Sequence, residues 1–308
     1  MNNIITGLLV ATIRMSTPLM LGALGEVFVE RTGVMNIAIE GIFLMGAWGG
    51  FVGAYLTGKL WIGFLFAIGV GVLCGAIYGY FTIKLKQHQI VTGVAINILT
   101  LGLGLFLYQL LFGIPLLPLT VEPLKDISIP FLSTIPIIGS AFFSQNILTY
   151  LAVVLIILGY WVLFRTPLGL IIRSTGENPE AVDVAGINVE RIRFLAVLGS
   201  SALDGLAGAF YSIGFLGLYT NNIIGGRGWI AFAICFLGNW NPVGILIGSL
   251  IFGLAEGLSV VLLTSNFKLI PNEFLIAFPY ILTIVATISR RQFNVPAFLG
   301  KPYIKERS

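Results

Sequence analysis

The 308-residue sequence holds one histidine, His88, and two cysteines, Cys74 and Cys235. One imidazole cannot build a bis-histidine haem or a His-rich metal centre. Two cysteines inside apolar runs make neither a disulfide framework nor a Cys-based zinc site. No metal and no cofactor is therefore expected. No GxxxxGK[ST] phosphate loop occurs, so ATP, if it is used, must be bound by another subunit. An HExxH pair is also missing, which disfavours a metal hydrolase, while Ser or Asp chemistry within a membrane stays open. What remains is a set of polar and acidic residues in apolar surroundings. Such residues are costly in a bilayer, and each raises a question of function.

The first group is the stretch Arg31-Thr32-Gly33-Val34-Met35-Asn36-Ile37-Ala38-Ile39-Glu40-Gly41. A glycine break, Asn36 and Glu40 at membrane depth suit a discontinuous helix whose freed backbone groups face a cavity. The competing reading seats Arg31 and Glu40 at the interface, or pairs them with a neighbouring helix. Asn97, Asp204 and Glu256 stand singly, and for each an interhelical hydrogen bond competes with a solute contact. The second group runs from Asn221 through Gly225-Gly226-Arg227-Gly228 and Trp229 to Gly238-Asn239-Trp240-Asn241-Pro242. Two breaks around a half-length apolar piece predict a re-entrant or pore-lining element, with an interfacial tryptophan belt as the other reading. Asn36, Glu40, Asn97, Asn221 and Trp229 are the candidate solute path, suited to a ring-shaped polar solute.

The third group is the strongly charged internal segment, about 165–193. Within it Gly176-Glu177-Asn178-Pro179 sets a turn and a proline-initiated helix start, and Glu180 to Gly186-Ile187 reads as a short helix stopped by Gly186. A rigid knob of this kind between two spans could fit a cleft on a soluble partner, although an ordinary solvated loop reads the same way.

The elements that must position these groups follow from composition. Hydrophobic residues make up 57% and charged residues 10%, against roughly 25% charged in a soluble domain. Mean hydropathy is +0.99. The reading is all-α: one polytopic transmembrane helix bundle over 1–308, with about eight to nine spans of ~20 residues, some discontinuous. Runs are expected at about 4–25, 34–57, 60–83, 90–112, 147–164, 194–218, 243–263 and 273–288, with the half-span at 229–238. Continuous apolar runs argue against a β-barrel. Met1-Asn2-Asn3 lacks a basic lead-in, so the first run reads as a mature helix rather than a signal peptide. Residues 113–146, broken by Pro115, Pro118, Pro123, Pro130 and Pro136, read as a partly ordered loop outside the membrane.

The net charge of +4 reports orientation here, not a nucleic-acid partner. Lys and Arg collect at 84–88, at 165–193 and in the tail (Arg290, Arg291, Lys301, Lys305, Arg307), whereas 113–146 has only Lys125. This places the first three in the cytoplasm, 113–146 outside, and the N-terminus outside. Glycines spaced by four (Gly71, Gly75, Gly79; Gly46, Gly50; Gly244, Gly248; Gly253, Gly257) predict close helix packing within the bundle, or else a face for a second copy.

The spacing Glu180-Ala181-x4-Gly186 resembles the EAA loop of ATP-binding-cassette importer permeases. Gly176-Glu177-Asn178-Pro179…Ala185-Gly186-Ile187, the Arg31–Gly41 stretch, Gly226-Arg227-Gly228-Trp229-Ile230-Ala231 and Gly238-Asn239-Trp240-Asn241-Pro242 look like the branched-chain amino acid and simple-sugar permease family, most similar to its nucleoside or simple-sugar branch. Val182 departs from the general pattern, where a second alanine is usual. The resemblance covers about residues 4–290. It implies a transport subunit and not an enzyme, in the cell membrane of a prokaryote. The implied partners are a cytoplasmic ATP-binding subunit, a second permease (related or identical) and an extracytoplasmic solute-binding protein. It further implies that Glu177, Asn178, Pro179, Glu180, Ala181, Gly186 and Ile187 form the ATPase-coupling loop. A gradient-driven secondary transporter is the alternative, with Glu40, Asp204 and Glu256 as its coupling-ion candidates. A channel would be expected to repeat a filter motif, and none is visible.

Overall fold

The computed structural model describes residues 2–135, 138–264, 271–289 and 293–304. Of the expected basic tail, Arg290, Arg291, Lys305 and Arg307 lie outside the described residues. The chain is an all-α bundle. Helices α1 (Asn2–Glu30), α2 (Ile39–Thr57), α3 (Leu60–Gly79, prolonged by a π-helical turn, Tyr80–Lys84) and α4 (Gln89–Phe112) come first. Residues 113–146 follow, with a two-stranded antiparallel hairpin, β1 (Asp126–Ser128) on β2 (Ser144–Asn146), and a short α5 (Ile138–Phe142). Then come α6 (Ile147–Arg165), α7 (Pro167–Glu177), α8 (Pro179–Val184) and α9 (Val189–Ala209, prolonged by a π-helical turn, Phe210–Leu216). The chain closes with α10 (Arg227–Leu237), α11 (Pro242–Thr264) and α12 (Asn272–Ser289). Among the described residues, seven helices are long and apolar enough to cross a membrane: α1, α2, α3, α4, α6, α9 and α11. The half-length α10 and the 18-residue α12 bring the bundle to the expected size.

Span ends and one whole helix differ from the sequence reading. Helix α1 runs past residue 25 to Glu30, so Glu26 and Glu30 lie inside a span instead of after it. Both find partners there: Glu26 accepts from Asn36, and Glu30 from the Trp240 indole. Helix α2 starts at Ile39 rather than Val34, because the chain turns at Thr32-Gly33 and lies open until Ala38. Helix α7 was not expected at all. Its signal is local: Thr166 caps it by accepting from Gly169 N–H at 3.2 Å, and Pro167 occupies its first turn.

Helices α1, α2 and α9 form the centre. Outward-facing side chains such as Leu73 on α3, Ile98 on α4 and Ile157 on α6 are more than half exposed, as suits a lipid-facing surface. The glycine stripes seat neighbouring backbones within the bundle. A Cβ on Gly46 would meet Gly205 O at 2.4 Å, one on Gly71 would meet Ser201 O at 2.4 Å, and one on Gly253 would meet Thr12 O at 2.6 Å. Gly244 packs on Gly238 in the same way. These seams are internal, so the stripes are not a face for a second copy.

Contacts sort the connections to two ends. At one end Arg14 of α1 pairs with Asp126 of the hairpin, and Val121 N–H donates to Gly217 O at 2.8 Å. At the other, Lys84 pairs with Glu190 at 2.9 Å, and the 31–38 break, α7, the α10–α11 corner and residues 293–304 are bonded together.

Candidate functional site: a cavity between two broken spans

Four of the five expected path residues line one cavity of about 270 Å³: Glu40, Asn97, Asn221 and Trp229, with Gly41 and Gly225. The first turn of α2, the middle of α4, the open segment 217–226 and the start of α10 build it. Helix α10 begins at mid-bundle, where its first N–H groups have no intrahelical partner. Glu40 supplies one: its Oε1 accepts from Gly226 N–H and its Oε2 from Gly228 N–H, both at 2.8 Å. A carboxylate at a helix N-terminus is also favoured by the helix dipole. Gly226 holds φ +89, which a side chain resists. At Gly228 a Cβ would lie 2.7 Å from the Glu40 backbone.

Asn97 serves the other break. Its Oδ1 accepts from Gly41 N–H at 2.8 Å, and its Nδ2 donates to Ile37 O at 2.8 Å. Both ends of the amide satisfy backbone groups freed where α2 starts, so the interhelical hydrogen bond is what the structure shows. Asn221 and Trp229 supply the accessible amide and aromatic surface, Trp229 being 39% exposed and edge-on to Phe232.

Asn36 is not in this cavity. It is fully buried, and its Nδ2 donates to Glu26 Oε1 at 2.8 Å and to Asp204 Oδ2 at 3.2 Å. It ties the break after α1 to α9 within a polar cluster that includes Ser200. Glu256 lies elsewhere again, paired with Arg227 (Nε to Oε1, 2.9 Å), whose guanidinium stacks over Tyr211. Glu40, Asp204 and Glu256 thus each have a partner set of their own. Among the described residues no group of three or more His, Cys, Asp or Glu is placed to hold a metal.

Sequence reasoning missed an aromatic stack leading to the cavity. Phe51, Tyr55, Tyr108, Phe112 and Tyr219 lie with ring centroids 5.2–6.5 Å apart, beside a second cavity of about 620 Å³ lined by Tyr55 and residues 120–125. Tyr219 joins the two, its hydroxyl donating to Asn221 Oδ1 at 3.4 Å. Isolated aromatics in apolar helices look like packing in a sequence, so no local signal could have found it.

The 165–193 segment forms a projecting corner of α7 and α8. Asn178 caps α8, its Oδ1 accepting from Ala181 N–H at 3.0 Å, and Pro179 sits buried in the first turn. Ile187 N–H donates to Val182 O and Gly186 N–H to Asp183 O, with Gly186 at φ +83, which is the Schellman stop expected of that glycine. Glu177, Glu180, Ala181, Val184, Ala185 and Gly186 are exposed, Val184 by 88%. Behind the corner, burial lowers the Arg31 guanidinium from its ordinary value, while Cys235 and Glu177 act the other way. Arg31 donates to Trp240 O at 3.1 Å.

Residues 8–287 match the family described as branched-chain amino acid transport system / permease component. The chain is 40% identical over 304 residues to the guanosine ABC transporter permease protein NupQ of Bacillus subtilis, covering 96% of this chain and 95% of that one. It is 37% identical to the nucleoside ABC transporter permease protein NupC of Lactococcus lactis, covering 93% and 90%. A second Bacillus subtilis protein, the guanosine ABC transporter permease protein NupP, is 25% identical, covering 79% and 70%.

Proposed function

Because the chain belongs to the branched-chain amino acid transport system permease component family, we propose that its cavity passes a nucleoside, or failing that a simple sugar. It is the membrane-spanning permease subunit of an ABC transporter, a multi-pass protein of the cell membrane, and a separate ATPase drives it. The carrying observation is that Glu40, Asn97, Asn221 and Trp229, from distant parts of the sequence, meet where two broken spans face each other. Broken helices are tolerated in membranes where they line a cavity. At about 270 Å³ the cavity falls just short of the roughly 300–1,000 Å³ of ordinary small-ligand sites. This supports one half of a path completed by a second permease. Resemblance to two differently named guanosine permeases of one organism supports a related, not identical, second chain. The separate partner sets of Glu40, Asp204 and Glu256 leave the ion-coupled alternative without a shared ion site.

The exposed face of α8, with Glu180 beside Ala181, Val184 and Ala185, is the surface we assign to ATPase docking. An extracytoplasmic solute-binding protein would deliver solute at the opposite end.

The solute reading is tested by uptake in proteoliposomes holding the whole complex. Stacking of a base on an aromatic ring contributes about 1–3 kcal/mol. Trp229→Ala should therefore weaken nucleoside uptake by roughly 5- to 150-fold. Unlabelled nucleosides should compete with labelled guanosine in the wild type, and glucose should not. Competition by glucose alone would transfer the assignment to sugars, and unchanged uptake by Trp229→Ala would remove that ring from the path.

The charge asymmetry supports a cytoplasmic α7–α8 end and an outside position for 113–146. Lys125 and Lys301 are both exposed, at opposite ends. In intact cells an impermeant thiol reagent should label Lys125→Cys and not Lys301→Cys; the reverse pattern would invert the topology.

A further inference from the structure

Residues 293–304 follow the last span and contain none of the motifs described above, yet they are bonded into one end of the bundle at several separate points. Phe298 N–H donates to Gly176 O at 2.9 Å, in the last turn of α7. Gly300 N–H donates to Gly33 O at 3.0 Å, in the break after α1. Asn294 N–H donates to the Asn239 side chain at 2.7 Å, at the α10–α11 corner. Arg193, near the start of α9 and only 2% exposed, fastens the segment from behind: its Nε donates to Thr32 O and its Nη1 to Lys301 O, each at 3.0 Å. Slight desolvation and the neighbouring Asp183 and Glu180 carboxylates hold the Tyr303 phenol above its ordinary value, which places Tyr303 beside α8. The two breaks are also joined directly, Arg31 to Trp240 O.

We propose that residues 294–303 are a transmission strap, which carries displacement of the α7–α8 corner to both broken spans. The proposal rests on the reading of α8 as the ATPase-docking face. A corner held only through its own two chain connections could be pushed without moving the cavity. Here the strap, the break after α1 and the α10–α11 turn close a ring of hydrogen bonds, and the corner is fastened to that ring by the backbone bond from Phe298 to Gly176. The corner cannot shift unless that ring shifts with it. Both spans that leave the ring, α2 and α10, line the cavity with Glu40 and Trp229. A buried guanidinium is costly to leave unpaired, so Arg193 keeps the strap seated through the cycle.

The test uses the reconstituted complex of both permeases, ATPase and solute-binding protein, comparing wild type with three variants. The first is this chain ended after Phe293. The second is Asn239→Gly, which tolerates the positive φ of +58 at that position and removes only the acceptor for Asn294. The third is Glu180→Lys, which alters the docking face itself. ATPase co-purification, ATP turnover and uptake are measured. The truncated chain and Asn239→Gly should keep the ATPase bound and hydrolysing while solute moved per ATP falls roughly tenfold, a coupling free energy of ordinary size. Glu180→Lys should lose the ATPase. Unchanged solute per ATP in Asn239→Gly and the truncated chain overturns the strap. Loss of ATPase from either also overturns it, because the segment would then be a docking surface. Should the truncated chain fail to fold, Asn239→Gly decides alone. Failure of wild type to bind an ATPase, or full binding by Glu180→Lys, would instead strike the docking reading.

Discussion

Gly208→Ala should abolish a correctly packed protein, whereas Gly199→Ala on the same helix should be neutral or mildly stabilising. Both glycines lie inside α9. Alanine has the higher helix propensity, by about 1 kcal/mol, so propensity alone favours both substitutions. The surroundings decide the sign. A Cβ at 199 meets nothing within 4 Å. A Cβ at 208 would sit 1.9 Å from Phe43 O and 2.8 Å from Ala47 N, both backbone atoms of α2. No rotamer change relieves a clash with backbone, so the two central helices must separate. Overpacking in a close-packed interior costs typically about 1–3 kcal/mol, and occasionally more. This contact belongs at the upper end, because the Gly46–Gly205 approach is opened by the same movement. Yield of monodisperse protein and the thermal midpoint in detergent measure both variants. Equal behaviour of the two would show that the α2–α9 seam yields easily.

Glu40→Ala should leave the protein in the membrane but reduce uptake to a small fraction, with Glu40→Gln intermediate. Hydrogen bonds to a charged group contribute about 1.5–3 kcal/mol each, and Glu40 accepts two from the start of α10. Alanine removes both. Glutamine keeps one acceptor, but turns an NH2 toward a backbone N–H. The lost stabilisation falls on the first turn of α10 and on Gly225, which line the cavity, and not on the central α2–α9 seam. Transport should therefore suffer more than insertion. Uptake corrected for the amount of membrane-inserted protein is the measurement, and full uptake by Glu40→Ala would take this carboxylate out of the mechanism. The sequence placed Glu40 as a solute-path residue. In the structure it lines a cavity, and its two oxygens are engaged in holding that cavity's wall.

Much of the arrangement was legible because its causes are local. The low charge content and long apolar runs dictate a helical membrane bundle, since only helices satisfy every backbone group within one segment. Gly33, the run Gly225-Gly226-Arg227-Gly228, and Gly238 to Pro242 mark the breaks, because turns and helix starts need residues of those types where they occur. Asn178-Pro179 and Gly186 mark both ends of α8 for the same reason. The basic clusters carry the orientation reading. Glu40, Asn97, Asn221 and Trp229 could be selected as path candidates because a polar group in an apolar run stands out wherever it lies.

What the tertiary structure alone decided is which partner each of these groups meets. Asn36 and Glu40 are four residues apart, and nothing local says that one joins Glu26 and Asp204 in the core while the other caps α10. Glu26 and Glu30 looked like residues beyond a span, and became interior ones only because Asn36 and Trp240 reach them from elsewhere in the chain. The glycine stripes announced close approach without naming the neighbour. Arg193 and residues 293–304 gave no local sign, since one arginine and a short tail have no periodicity to read. In each case the pairing depends on the rotation and axial register of helices far apart in sequence. That register is set by the summed packing of the whole bundle, with Gly208 on Phe43 and Gly46 on Gly205 as its tightest points, so no short window of sequence contains it.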